Sequence, residues 1–404
     1  MYYPIIKKNK FINFNLMYVF IFAFLARWFF LFPWFFIIEG HASGDVRSYE
    51  LHIQWVIEGL VPNKDFGTPY GFYFYYFLSI PYKLFSHPAM IIFTLHLCEI
   101  FGVILFYSAI KKLINIKNAR IFVLLYFFNP LIITWFAFDG QDEALLILSF
   151  GALFWGCANA SRFMKVFFSG FSIFVAKLTS LAAIVPLFLK INLREKILII
   201  LTILLFLLVP LTLNSEIFSL SFDRYGGSDN LTNTIFPGNI WFLINQFTSN
   251  DPGYILNNKI IIFLSRLFLI SLSLVSFIII LKLSSKTNEA NYLAYGVVLF
   301  TLSFQISSYY TSPGFLATIV PFLIYLLLLN FEIIRINTNI ILLYFLILPF
   351  DIHIYLRMIE HIDNTIGYIS VLFYVYELII VLANIFVFCF VVRYLLNKNF
   401  KEDV

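Results

Sequence analysis

Residues 197–213 read ILIILTILLFLLVPLTL, seventeen consecutive positions without a charge. An α-helix rises about 1.5 Å per residue, so this run reaches roughly 25 Å, close to the thickness of a bilayer's hydrocarbon core. Basic residues lie just before it, at Lys190, Arg194 and Lys196. Short basic loops mark the cytoplasmic side, so the helix leaves the cytoplasm at its N-terminal end. Comparable runs fill most of the chain. Of its 404 residues, 61% are hydrophobic and only 12% carry charge, about half the charged share of a soluble globular protein. The expected fold is all-α, a polytopic bundle of membrane-spanning helices. The balance of 27 Lys and Arg against 22 Asp and Glu leaves +5, which excludes a disordered chain and a nucleic-acid binder. Cys98, Cys157 and Cys389 lie far apart inside apolar runs and read as small hydrophobes, not as a disulfide or metal framework.

The same rule threads the whole chain. Basic groups place the N-terminus, residues 111–120, 162–165, 190–196 and 282–289, and the tail from Arg393 in the cytoplasm. Between successive cytoplasmic loops the chain must cross an even number of times, which locates the outer loops. A first span over about 13–38 leads to an outer loop over 39–87, which carries an amphipathic helix and an aromatic-rich interfacial or re-entrant segment at 71–85. Further spans cover about 88–110, 119–137 and 142–158. Only about two dozen residues separate Lys165 from Lys190, so two crossings there require a hairpin of short, broken helices with Lys177 at its outer tip. A single long span is the alternative, and it buries Lys177 near mid-membrane at about 2.5–3.5 kcal/mol. After 197–213 comes a long outer loop at 214–255, then five spans between about 256 and 392. The sum is about twelve crossings in one membrane domain, 1–404, with both termini cytoplasmic.

This threading puts Asp45, Asp65, Asp139, Asp142, Asp223, Asp229 and Asp251 all on the outer face. Asp45 follows the first span directly, where a carboxylate can take a proton from a hydroxyl presented at the bilayer surface; taken alone, an Asp there is more often the cap of the helix that follows. Gln141, Asp142 and Glu143 stand where acidic groups complement a helix N-terminus. Lys177 is suited to a phosphate at the outer interface, or it simply snorkels. Arg224, beside Asp223, is a second candidate for phosphate, against the reading of a solvated surface pair. His41, His52, His353 and His361 match no metal-ligand spacing, so neither a metal nor another cofactor is expected, although a divalent metal remains compatible with the acidic face.

Order and sidedness together are more specific than any member. The chain carries Asp45, an amphipathic segment, Gly59, Pro69-Tyr70, Asn129-Pro130, Gly140-Gln141-Asp142, Gly170 and Lys177 ahead of Pro186. Asn239-Ile240-Trp241 and Tyr309-Tyr310 with Pro313 and Pro321 follow. Over roughly residues 15–325 this series resembles the GT-C superfamily of membrane glycosyltransferases, nearest its mannosyltransferase-like branch. The resemblance implies Asp45 as catalytic base, Asp142 as a second acidic residue near acceptor or donor, and Lys177 as a contact to lipid phosphate. Pro69-Tyr70 would match the proline-containing motif after the first outer loop, without its usual paired prolines, and Tyr49 and Gln141 would line the same pocket. It further implies a polyprenyl-phosphate sugar donor, a lipid-linked or glycan acceptor, and inversion at the anomeric carbon. Heavy use of Phe, Ile, Asn and Lys suggests a bacterial inner membrane, its outer face extracytoplasmic.

Two other readings use the same inventory. A membrane polysaccharide polymerase or ligase would need arginines in its long outer loop, where only Arg224 stands. A lipid-linked sugar flippase or transporter calls for inverted repeats and mid-membrane charge, and only the segment around Lys177 fits that pattern.

Overall fold

The computed structural model describes residues 44–68, 70–138, 141–213, 241, 259–283, 287–307, 313–329, 378–393 and 395, together with 17, 18, 20, 21, 24, 25 and 28. Among them there is no β-strand; Pro62 and Phe66 form an isolated bridge. The elements are α1 (Gly44–Ile57), α2 (Phe74–Leu84), α3 (Pro88–Leu113), α4 (Ile116–Phe127), α5 (Glu143–Ala158), α6 (Arg162–Phe171), α7 (Leu181–Lys190), α8 (Leu193–Leu213), α9 (Lys259–Leu283), α10 (Glu289–Ser307) and α11 (Pro313–Leu329). A twelfth helix, α12, covers Leu378–Arg393. The chain is thus an all-helical membrane protein: α3, α8 and most of α9 are long and apolar enough to cross a bilayer. On α8, Leu201, Leu205 and Leu208 are exposed, an outward apolar face that suits lipid. Pro69, Arg224, the 214–255 loop apart from Trp241, and the expected span near 336–350 lie outside the described residues.

Local chemistry sets the helix starts. His87 accepts the Ala89 N–H ahead of Pro88 at the first turn of α3, Asn115 accepts the Asn118 N–H at α4, and Asn129 accepts the N–H groups of Leu131 and Ile132 ahead of Pro130. Each side chain satisfies a backbone donor that the helix itself cannot, and proline occupies a position that has no such donor to lose. Helix α2 has 11 residues, about half the length that a span requires, and it packs on α1 and α3 beside the membrane-spanning set.

The centre of the bundle is the crossing of α3 with α5, where two glycines touch. A Cβ on Gly102 would stand 2.4 Å from the carbonyl oxygen of Ile147, and one on Gly151 would stand 2.4 Å from that of Gly102. Without a hydrophobic drive between helices in lipid, such small-residue contacts let backbones approach and gain dispersion energy. Gly102→Ala is therefore expected to force the two backbones apart and cost about 1–3 kcal/mol, read as a lowered unfolding midpoint in detergent. An unchanged midpoint would show that the crossing is looser than the contact implies.

Between α5 and α8 the chain turns back on itself. α6 continues through a π-helical stretch, Ser172–Ala176, then breaks at Lys177, whose backbone is extended (φ −147, ψ 151), before a 3₁₀ turn leads into α7. The two ends of this segment meet: Lys165 Nζ lies 2.8 Å from Glu195 Oε1 and 2.9 Å from Glu289 Oε2. The segment is therefore a hairpin of broken helices and not one long span. The ion cluster clamps α6, α8 and α10 at one end of the bundle, and Lys177 turns at the other.

Two polar groups with no sequence signal of their own lie inside α3. His96 Nε2 lies 2.8 Å from the Phe136 carbonyl oxygen, and Glu99 accepts from the Tyr126 hydroxyl at 3.0 Å. Both residues are fully buried, and each makes a hydrogen bond to a neighbouring segment, as a span requires.

Candidate functional site

Three consecutive residues ahead of and opening α5 collect the site, each holding a different part of the molecule. Gln141 Nε2 donates to Asp45 Oδ2 at 2.8 Å, tying α1 to α5. Asp45 lies in the first turn of α1 and is exposed, whereas Gln141 is buried. One carboxylate oxygen is thus fixed by a neutral amide, and the group keeps an open side.

Asp142 sits at the N-cap position of α5 yet makes no side-chain cap bond. Its carboxylate instead accepts from the Tyr49 hydroxyl at 3.1 Å and from Lys177 Nζ at 3.0 Å. Helix-terminus chemistry alone therefore does not account for it. The Tyr70 hydroxyl donates to that of Tyr49 at 3.3 Å, giving a chain of phenols that ends on the carboxylate. Burial pushes the Tyr49 phenol well above its ordinary range, with the Asp142 charge adding to it, and burial raises Tyr70 likewise. Both therefore stay protonated and act as donors.

Glu143 Oε1 lies 2.8 Å from Lys177 Nζ, and its other oxygen accepts from Trp135 Nε1 at 3.0 Å. Trp135 belongs to a second π-helical stretch, Ile133–Phe138. Such stretches often occur at functional sites, because the wider turn re-aims side chains. Gly314, in the first turn of α11, makes this arrangement fit: a Cβ there would stand 2.4 Å from Trp135 Nε1 and 2.6 Å from Glu143 Oε1. Lys177 is further covered by two rings, Tyr70 at 5.2 Å and Phe315 at 5.8 Å from their centroids. Cation–π attraction supports this placement of a desolvated ammonium.

The loop bearing Tyr70 is docked by its backbone. Gly71 N–H donates to the Ala176 carbonyl at 3.1 Å and Tyr73 N–H to that of Phe174 at 2.8 Å, while a Cβ on Gly71 would stand 2.4 Å from Phe174 O. Thr68 accepts the Tyr70 N–H at 3.1 Å and donates to the Tyr75 hydroxyl at 3.2 Å. The first loop and the Lys177 turn consequently form one rigid corner.

Asp45, Tyr49, Tyr70, Gln141, Asp142 and Lys177, singled out from the sequence, thus converge through direct contacts. Glu143 and Trp135 were not among them. Glu143 adjoins Gln141 and Asp142, a signal that the helix-terminus explanation absorbed; Trp135, Gly314 and Phe315 carried none. One ammonium here faces two carboxylates, so the Lys177 charge is already matched, and a phosphate can use it only in exchange. Among the described residues no group of three or more His, Cys, Asp or Glu is placed to hold a metal ion.

No family model matches the chain, and no curated protein matches it. Among solved structures it is similar to the crystal structure of ArnT from Cupriavidus metallidurans in the apo state, with TM-score 0.48 and 13% identity over 95% of this chain and 73% of that one. It is also similar to the same protein bound to undecaprenyl phosphate, with TM-score 0.49 and 15% identity over 96% of this chain and 73% of that one. At these values the likeness assigns neither a family nor a function.

Proposed function

We propose that this protein is a membrane glycosyltransferase of GT-C type that moves a hexose from a polyprenyl-phosphate sugar to a lipid-linked or glycan acceptor on the extracytoplasmic face. The observation that carries this reading is the convergence of Asp45 with the Gln141–Asp142–Glu143 and Lys177 cluster at one corner of the bundle. Asp45 is the base: exposed, held on one oxygen by Gln141, it can take the proton from an acceptor hydroxyl as that oxygen attacks the anomeric carbon. The bond to lipid phosphate breaks in the same displacement, which inverts the centre. Lipid phosphate leaves readily, so stabilising its charge matters more than protonating it. Lys177 supplies that charge by exchanging a carboxylate for phosphate, with Arg224 as a second cation and Pro69 and Tyr70 shaping the approach. Mannose-like hexoses are the first donors to try, and the bacterial inner membrane, both termini cytoplasmic, is the proposed setting.

The test is transfer of labelled sugar by the purified chain in vesicles, from polyprenyl-phosphate hexoses to mixed lipid and glycan acceptors. Label appearing on an acceptor with inverted configuration supports the reading. Polymerisation of lipid-linked glycan, or its passage between leaflets without transfer, would replace it with the polymerase or flippase alternative.

A further inference from the structure

The cluster that collects the site is short of positive charge. Asp142 and Glu143 each keep only 1% of the side chain open, and one ammonium, that of Lys177, answers both. Lys177 hydrogen-bonds Asp142 Oδ1 at 3.0 Å, and the Tyr49 hydroxyl donates to that same oxygen at 3.1 Å. The second oxygen, Oδ2, is buried and receives no directed hydrogen bond, although Lys177 Nζ stands 2.9 Å away. Two buried carboxylates against one cation cost least when they hold a proton between them.

The surroundings do not relieve the shortage. Among the described residues, the titratable groups that face Asp142 are Asp45 and Tyr49 from α1, Tyr70 from the loop after it, the adjacent Glu143, and Lys177 from the hairpin turn. Asp45 adds negative charge, and both phenols stay protonated. α11 brings Gly314 and Phe315 to the cluster and the 133–138 stretch brings the Trp135 indole, none of them charged. Burial pushes the Asp142 carboxyl up to about 7, with repulsion from Glu143 adding to the rise and Lys177 opposing it. The proton belongs to the pair and not to one residue.

Donor binding disturbs this balance. A polyprenyl-phosphate sugar carries one negative charge on its phosphodiester, and Lys177 can meet it only by loosening its hold on a carboxylate. Lys177 keeps a tenth of its side chain open, so an anion arriving from that side meets the ammonium and not the acids. Left ionised, the two carboxylates and the phosphate would set three negative charges against one positive charge where little water screens them; one proton halves that excess. We propose that the Asp142–Glu143 pair takes up a proton when the donor's phosphate binds Lys177, so that donor affinity rises as pH falls. This deepens the transferase reading and rests on it. The sign follows from linkage: the pair binds more protons with donor than without, so affinity is full where the free pair is already protonated and falls as pH rises past that point.

The experiment measures binding of a polyprenyl-phosphate hexose to the full chain in vesicles at pH 6 and pH 8, by calorimetry in buffers of different ionisation enthalpy. Wild type should bind about tenfold more weakly at pH 8 than at pH 6, and at pH 8 should take up about one proton per donor bound. Asp142→Asn mimics the protonated pair, because it keeps an acceptor oxygen for Tyr49 and Lys177 and cannot ionise. It should bind at pH 8 as tightly as wild type does at pH 6, without proton uptake. Glu143→Gln removes the same charge, and it decides the matter if Asp142→Asn does not fold. The coupling is overturned if wild-type affinity is flat between the two pH values, if binding takes up no proton, or if the variants keep the pH dependence or lose affinity at both. A wild type that binds no donor at either pH would overturn the transferase reading itself and this inference with it.

Discussion

Asp45→Asn is expected to lower the turnover of sugar transfer by about 10²–10⁴-fold, the usual contribution of a positioned general base, while the unfolding midpoint stays within error of wild type. The structure makes this substitution unusually clean. Asp45 is exposed, so loss of its charge unburies nothing. Asparagine keeps a carbonyl oxygen able to accept from Gln141 Nε2, so the 2.8 Å tie between α1 and α5 can persist. What disappears is the basic oxygen alone. Single-turnover transfer in vesicles, with donor in excess of its binding constant, separates this loss from weaker binding. Turnover by the asparagine variant at the wild-type rate would remove Asp45 from the mechanism.

Lys177→Met is expected to destabilise the fold by about 3–5 kcal/mol, the cost of stranding buried charge when one partner of an ion pair is removed. The ammonium meets Asp142 at 2.9 Å and Glu143 at 2.8 Å, and both carboxylates are only 1% exposed. Methionine fills most of the space but leaves two adjacent negative groups without a counter-charge. Two further measurements identify the cause. Adding Glu143→Gln to the methionine variant should recover a large part of the loss, because one stranded charge disappears. The deficit should also shrink as pH falls, since protonating a carboxylate removes the unpaired charge and so favours the folded variant. A variant as stable as wild type at neutral pH would mean that the cluster is hydrated and that Lys177 is held far more loosely than its contacts imply.

How much of the site could be seen beforehand depends on what each residue signals in one dimension. Asp45, Asp142 and Lys177 stood out because a charged group is costly near lipid and has to be explained. Gln141 entered through its place in an ordered series, and Tyr49 through the pocket that the family resemblance implies. Glu143 was hidden by a sufficient local reason, its place at a helix start, and only the hairpin that carries Lys177 to it gave it a second role. Trp135 was one aromatic among 52 Phe, 24 Tyr and 6 Trp, with nothing to separate it from lipid-facing neighbours.

The sequence by itself determined the solvent and the element type: uncharged runs of bilayer length must satisfy their backbones internally, which makes them helices. It also gave an expectation of sidedness, through basic loops, and favoured a break at Lys177 over one long span, because two crossings had to fit between Lys165 and Lys190. Only the tertiary structure decided which of the singled-out side chains meet. Pairing among Asp45, Gln141, Asp142, Glu143, Tyr49, Tyr70 and Lys177 follows from the close approach of α3 to α5 at Gly102 and Gly151, from the backbone docking of the Tyr70 loop on the 172–176 turn, and from the space left by Gly314. The hydrogen bond from Gln141 to Asp45 alone joins residues 96 positions apart, and hydropathy, which reports each segment's preference for lipid or water, contains no information about which segment lies beside which.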